Sequence, residues 1–437
     1  MTMIKKILLY VLTGCVASMF LFHFTFSFLP IANTKNLMGA VGAVLVFINM
    51  VRKRDSDIPR NLLPLFFLAA LVSVAGLAST VYNHTSDMAY ATYIVSAAIW
   101  MCGAYVVVLV MKSVHGKVTF PIITNYLVAV CVFQCIMALL IEYVPSVQLF
   151  VDTWVQQGQA FLHDTKRLYG IGASLDTAGC RFSAVLVMLF AVIRHDKSEG
   201  WRTRQWLYLI SFAIVTVIGN MIARTTLVGV GFGICYMIFS SDIWRMRFSR
   251  EGSSIFGKML LILVVVVPVV VFFYNTDAGF HKLVRFGFEG FFNLFEHGEW
   301  ESRSTNTLST MVVFPETFKT WIIGDGYFSS PNSDVNYLGD LSIEGFYMGT
   351  DIGYLRFLFY FGLIGLIFFI AFFIKAALTA ADLFEEYRVP IIIVLLVGFT
   401  IWLKVATDLF LFFALLICAG NLRERSDTDN ADTISRQ

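Results

Sequence analysis

Apolar runs of about 20 residues recur roughly a dozen times along this chain, and that repetition leaves it few ways to fold. A run of that length crosses a bilayer as a helix, because in lipid each backbone N–H and C=O must be satisfied within its own segment. Composition agrees. Of 437 residues 58% are hydrophobic and only 14% charged, where soluble domains carry roughly a quarter charged. The expected fold class is therefore all-α: a polytopic integral membrane protein of about 12 transmembrane helices. The expected spans are 7–29, 36–51, 62–81, 90–111, 121–144, 173–193, 205–220, 225–240, 257–274, 352–374, 389–403 and 405–420. The last two are also readable as one bent helix. Lys5 and Lys6 precede the first run, which is longer than a signal-peptide core and lacks a small-residue cleavage site, so a retained first helix is expected.

The basic residues orient the spans. With the N-terminus inside, alternate loops hold Arg52, Lys53, Arg54 and Arg60, then Lys112 and Lys117, then Arg194, Lys197, Arg202 and Arg204, then Arg245, Arg247, Arg250 and Lys258, then Lys375 and Arg388. Both termini then lie inside. The organisation read from this is one transmembrane domain, 1–420, with two long outside loops, 145–172 and 275–351, and a disordered tail, 421–437. Net charge is +2, so nucleic acid is not an expected partner. The seven cysteines fall in or beside apolar runs, without the spacing of a disulfide framework or a metal site. Cys131 and Cys135 share a helix face, and packing is the expected role. Gly229, Gly231 and Gly233 form a G-x-G-x-G run inside a span, where close helix approach is favoured over phosphate binding. No P-loop is present and no metal-ligand cluster stands out, so neither metal nor cofactor is expected.

The loop 275–351 is where chemistry is sought, because a short turn would serve for connection alone. Phe280, Val284, Phe288, Phe291, Phe292 and Phe295 fall near helical spacing. They predict one amphipathic helix, either in the outer membrane interface or packed on the bundle. A second helix is expected over Ser302 to Phe314, ended or kinked by Pro315. Five arginines stand at the outer ends of spans, where the charge rule disfavours them: Arg167, Arg181, Arg224, Arg303 and Arg356. Guanidinium groups converging there suit a diphosphate, which they bind bidentately. Each is also readable as a snorkelling side chain or a structural pair, such as Arg181 with Asp176. Asp351, at the mouth of the tenth span, is readable as a helix N-cap or as an acid/base group. Asp325, between Gly324 and Gly326, is readable as turn chemistry. Glu301, Glu344, His281 and His297 are weaker candidates.

Several of these pieces resemble the superfamily of O-antigen polymerases and O-antigen ligases. Arg167-Leu168-Tyr169-Gly170 is similar to its R-x-x-G segment, and Ala223-Arg224-Thr225 to its S-R-[TG] turn. Arg303 with Gly324-Asp325-Gly326 resembles its loop arginine and downstream G-x-G. Thr350-Asp351-Ile352-Gly353-Tyr354-Leu355 with Gly362-Leu363-Ile364-Gly365 resembles its return helix. The likeness covers about 165–370. Leu175-Asp176 stands where the family often has Pro-Asn, and Asp351 where the ligases often have His, which leans toward polymerase. The resemblance implies a GT-C-like architecture with a large periplasmic loop between spans nine and ten, in a bacterial inner membrane. It implies transfer of an undecaprenyl-diphosphate-linked oligosaccharide onto another lipid-linked repeat unit, building O-antigen, capsule or exopolysaccharide. The enzyme is then a metal-independent glycosyltransferase with its active face periplasmic. The arginines would hold the diphosphate, with Arg224 and Arg303 acting on the leaving group, and Asp351 would serve the acceptor hydroxyl. Candidate partners are a chain-length regulator and a flippase. The alternatives are ligation to lipid A-core and, from another class, a lipid-linked oligosaccharide flippase or transporter.

Overall fold

A computed structural model of the chain describes residues 3–53, 59–164, 167–196, 200–241, 250–329 and 346–435. It is 79% helical. In chain order the helices are α1 (Met3–Leu21), α2 (Thr34–Lys53), α3 (Leu62–Tyr82), α4 (Tyr93–His115), α5 (Phe120–Tyr143), α6 (Pro145–Trp154) and α7 (Gln159–Asp164). There follow α8 (Leu175–His195), α9 (Trp201–Ile222), α10 (Thr226–Ser240), α11 (Arg250–Thr276), α12 (Ala278–Gly287), α13 (Glu289–His297), α14 (Arg303–Thr310) and α15 (Phe318–Ile322). The last three are α16 (Gly353–Leu383), α17 (Arg388–Ile401) and α18 (Phe410–Ser435). Among the described residues nine helices are long and apolar enough to cross a membrane, which makes this a multi-pass membrane protein. They are α1 to α5, α8, α9, α11 and α16; α10 and the apolar part of α18 are shorter.

The first expected span, 7–29, ends as helix at Leu21. Beyond it Thr25–Phe26 (β1) pairs with Leu29–Asn33 (β2) and with Val155–Gln156 (β3), all antiparallel. Pro30 cannot continue a helical ladder, and the aromatic residues around it fit a short strand. The final helix runs on to Ser435, past Asn421, where a disordered tail is expected. α17 and α18 are separate helices.

The chain divides into two compact units. One comprises Met1–Leu37, Val107–Glu301 and Val389–Val397, the other Met38–Val106, Ser302–Arg388 and Gly398–Gln437. The first is built around α8, 89% of whose spanning window is buried. α5, α9 and α10 pack on it. α10 approaches closely because Gly229 and Gly233 carry no Cβ. One at Gly229 would meet Ser183 Cα at 2.2 Å, and one at Gly233 the Phe190 ring at 2.1 Å, whereas Gly231 faces open space. The G-x-G-x-G run is thus a packing surface. α11 is the opposite case, with only 6% of its window buried.

The second unit is built on α16 against α3 and α18. α16 is interrupted at Gly362, whose φ 66°, ψ −170° is a conformation open essentially to glycine alone. The break frees carbonyls that the segment after α15 takes up. Asp325 N–H donates to Phe359 O at 2.6 Å, Gly326 N–H to Tyr360 O at 3.1 Å, and Ser79 Oγ to Tyr360 O at 2.7 Å. A Cβ on Gly362 would meet Ile322 O at 2.2 Å, and one on Gly324 would meet Tyr360 O at 2.5 Å. Beside the break, the Tyr360 hydroxyl accepts from Tyr90 N–H and Ala91 N–H at 3.1 Å each and donates to Asp87 O at 2.8 Å.

Candidate functional site

The tight connection between α9 and α10 is the most constrained piece of the first unit. Gly179 of α8 lies against it, and a Cβ there would meet Thr225 Oγ1 at 2.0 Å and Ala223 Cβ at 2.8 Å. Ser183 Oγ donates to Thr225 O at 2.7 Å and accepts from Gly229 N–H at 3.1 Å. Thr225 Oγ1 in turn donates to Asp176 Oδ1 at 3.3 Å. Asp176 follows Leu175, which holds φ 53°, a left-handed conformation disfavoured for a side chain with a Cβ. A small residue on α8 and a seryl clamp therefore fix the backbone from which Arg224 projects.

Arg224 reaches the α12–α13 pair. Its Nη2 lies 2.7 Å from Glu289 Oε2, and its guanidinium sits 4.3 Å from the centre of the Phe286 ring. The Arg167 guanidinium lies 5.2 Å from the centre of that same ring. The sequence places these two arginines fifty-seven residues apart (224 − 167), and the fold brings both to one aromatic face. The Arg224 side chain is 17% exposed and that of Glu289 29%. Burial lowers the proton affinity of Arg224, Glu289 opposes that shift, and Arg167 adds to it. Guanidinium is charged throughout the physiological range. The site is thus a partly open pair of cations, held on an aromatic ring and matched by a glutamate.

The single amphipathic helix expected over Phe280 to Phe295 is instead two, α12 and α13, divided at Phe288 (φ −113°, ψ 23°). Asp277 starts the first by accepting from Phe280 N–H, which with Tyr143 OH at 2.9 Å holds its carboxyl below the usual range. The division turns Phe286 and Glu289 toward Arg224, while Val284, Phe288, Phe291, Phe292 and Phe295 line a cavity. Glu289 and Phe286 were not among the expected site residues. Their signal was an acid three residues after an aromatic, on the side of the pattern opposite the regular apolar positions.

Arg181 engages other groups in the same unit. It is 4% exposed, lies 3.2 Å from His23 Nδ1 and stacks 5.8 Å from Phe22. A guanidinium only donates, so Nδ1 accepts and the imidazole proton sits on Nε2. Burial first, then Arg181 and Lys35, bring the His23 pKa down to about 3. Asp176, the expected partner of Arg181, meets Thr225 as described.

Arg303 and Arg356 belong to the second unit. Arg303 is the first residue of α14 and is exposed. Ser302 is the N-cap, accepting from Thr305 N–H at 3.2 Å. α14 ends at Thr310, five residues short of Pro315, so the proline does not terminate it. The Arg356 guanidinium lies between two rings, 3.8 Å from the centre of Phe328 and 3.7 Å from that of Phe346. It donates to Phe328 O at 2.9 Å and Asp351 Oδ1 at 3.4 Å, and its side chain is 7% exposed. Asp351 is not the N-cap of α16. That position is Ile352, with no side-chain cap bond, so Asp351 is spent on Arg356 instead.

Asp325 does more than make a turn. Its Oδ1 accepts from Lys319 Nζ at 2.5 Å and from Thr320 Oγ1 at 2.8 Å, and its Oδ2 from Tyr347 OH at 3.3 Å. Lys319 also donates to Asn83 Oδ1 at 2.7 Å. His281 stacks on Tyr274 with ring centres 4.1 Å apart, His297 lies in the last turn of α13, and Glu301 is exposed, with its backbone oxygen accepting from Asn293 at 2.8 Å. Glu344 lies outside the described residues. No family model matches the chain, nor does a curated protein or a solved structure.

Proposed function

We propose that this protein polymerises undecaprenyl-diphosphate-linked oligosaccharide repeat units into a surface polysaccharide, at the periplasmic face of a bacterial inner membrane. The observation that carries this reading is the convergence of Arg167 and Arg224 on Phe286. Two cations, partly open and backed by an apolar ring, offer bidentate donors to a diphosphate and take up the charge that develops on it as a leaving group. Their place beside the ends of α9, α10 and α11 suits a ligand whose remaining part lies in lipid. Asp351, 28% exposed, remains the candidate for the acceptor hydroxyl, oriented by its contact with Arg356.

The test is a gel profile of surface polysaccharide from cells lacking the gene, complemented with wild type, Arg224→Ala or Asp351→Asn. Core carrying a single repeat unit, with the ladder restored by wild type and not by Arg224→Ala, is the expected outcome. Bare core with polymer left on the carrier means ligation instead. An unchanged profile, with capsule and exopolysaccharide also intact, sinks the enzyme reading and favours transport. Full activity of Asp351→Asn removes Asp351 from the chemistry.

A further inference from the structure

The helix pair that meets Arg224 through Glu289 turns its phenylalanines to a cavity. α9, α10, α11 and the α12–α13 pair border a half-open cavity of about 730 Å3, inside the ~300–1,000 Å3 range of ligand pockets. The lining is apolar except for Thr216, whose buried hydroxyl has no hydrogen-bond partner. Along α11 the lining runs from Phe256 to Val271. Those fifteen steps along the helix (271 − 256) cover about 22 Å at the helical rise. That length and chemistry suit a linear hydrocarbon chain better than a compact ring.

One end of this cavity adjoins the charge site. Phe288 lines the cavity, and the next residue is Glu289, 2.7 Å from Arg224. Only Gly290 of α13 is buried. Asn293 Nδ2 donating to Glu301 O, Arg285 on Glu296, and the rings of Trp300 on Phe291 and Tyr274 on Phe292 hold this helix; Arg224 on Glu289 ties it to the α9–α10 connection.

We propose that the cavity takes the isoprenoid chain of a polyprenyl diphosphate, and that Glu289 is a resident anion which the diphosphate displaces from Arg224, loosening α13 over the chain's path. The inference rests on the donor assigned above and adds where the chain goes and what guards it. A diphosphate offers more acceptor oxygens than one carboxylate, so exchange at the guanidinium is favourable. Each methylene placed in the cavity then adds to affinity.

The experiment measures dissociation constants on the purified full chain in nanodiscs, using inorganic pyrophosphate, farnesyl diphosphate and undecaprenyl diphosphate. Wild type, Ala213→Phe, Val230→Phe, Glu289→Gln and Arg224→Ala are compared. Affinity is expected to rise at least about tenfold from pyrophosphate to the chained ligands, since a few buried methylenes suffice. Ala213→Phe and Val230→Phe fill the cavity and should erase that rise while leaving pyrophosphate binding unchanged. Partition into the nanodisc is common to all variants, so the ratio to wild type isolates the cavity. Glu289→Gln should tighten pyrophosphate binding severalfold, by removing the competing charge. Equal affinity at all chain lengths overturns the inference. So does a chain-length gain that both filling variants retain, or one abolished by excess phosphatidylglycerol, which would mean bulk lipid occupies the cavity. Weaker pyrophosphate binding by Glu289→Gln overturns the displacement. Pyrophosphate binding indifferent to Arg224→Ala instead sinks the proposed function, a separate failure. Should one filling variant not fold, the other and the wild-type series still decide.

Discussion

Arg224 and Arg356 are the same residue type, each beside the end of an apolar helix, each near a carboxylate and an aromatic ring, yet their surroundings differ in kind. Arg356 has rings on both faces and its two Nη groups engaged by Asp351 and a backbone carbonyl, with 7% of the side chain exposed. Arg224 meets the Phe286 ring and Glu289, with a second arginine nearby and 17% exposure. A guanidinium with rings on both faces is shielded by the fold, whereas one with a ring on one face is more open to solvent. Residue type and topological position are alike in the two; the aromatic cover and the exposure differ.

The sharpest test of this contrast is Arg224→Ala. It should cut polymer formation by about 10²–10³-fold, as loss of a charge-stabilising donor does. Membrane level and melting temperature should stay close to wild type. A large fall in protein level would put Arg224 with Arg356. Next is Arg356→Met, which removes two stacking faces and one side of an ion pair. It should destabilise by about 3 kcal/mol, read as a lower melting temperature in detergent, and Arg356→Lys should not rescue it because ammonium lacks the planar faces. Stable, inactive Arg356→Met protein would reverse the assignment.

Arg181 offers an intermediate case, since its neighbour His23 is kept neutral. The His23 pKa is about 3 in the folded chain against an ordinary 6.5. Between those values the unfolded chain binds the extra proton, so the contribution is full above pH 6.5 and lost as pH falls toward 3. Melting temperature should decline on acidification below pH 6.5, and His23→Gln should flatten the decline. Smallest of all is the exposed pair of Arg285 with Glu296. The contact holds the Glu296 carboxyl below its usual range, but solvent screens it. Glu296→Gln should leave the melting temperature unchanged within error.

How much of this was legible beforehand follows the physics of each signal. Hydropathy places helices at every expected span, because in lipid an apolar run has few other conformations. The first run misleads beyond Leu21, since hydropathy does not separate the strand Thr25–Phe26 and its turn from helix. Pro30 was the available cue. The pairing of Arg167 with Arg224 was expected only as part of a larger convergence. The aromatic that organises it, Phe286, read as one apolar residue among many. Asp351 stood out in the sequence as an acid at a helix mouth but not as a partner of Arg356, because an i, i+5 contact depends on where the helix begins, and α16 begins two residues later, at Gly353. The break at Gly362 was present in the Gly362-Leu363-Ile364-Gly365 run, but two glycines near the middle of an apolar span signal close packing as readily as a break.

That break sets an order of events in biosynthesis. Residues 318–326 leave the ribosome before α16, yet their N–H groups complete α16 by meeting Phe359 O and Tyr360 O. The bonds at the break therefore close only after α16 has been made, and a carbonyl left unmatched in lipid costs ~1–3 kcal/mol. Assembly of this half is retrograde: the older stretch of chain waits for the younger one, whose break it completes.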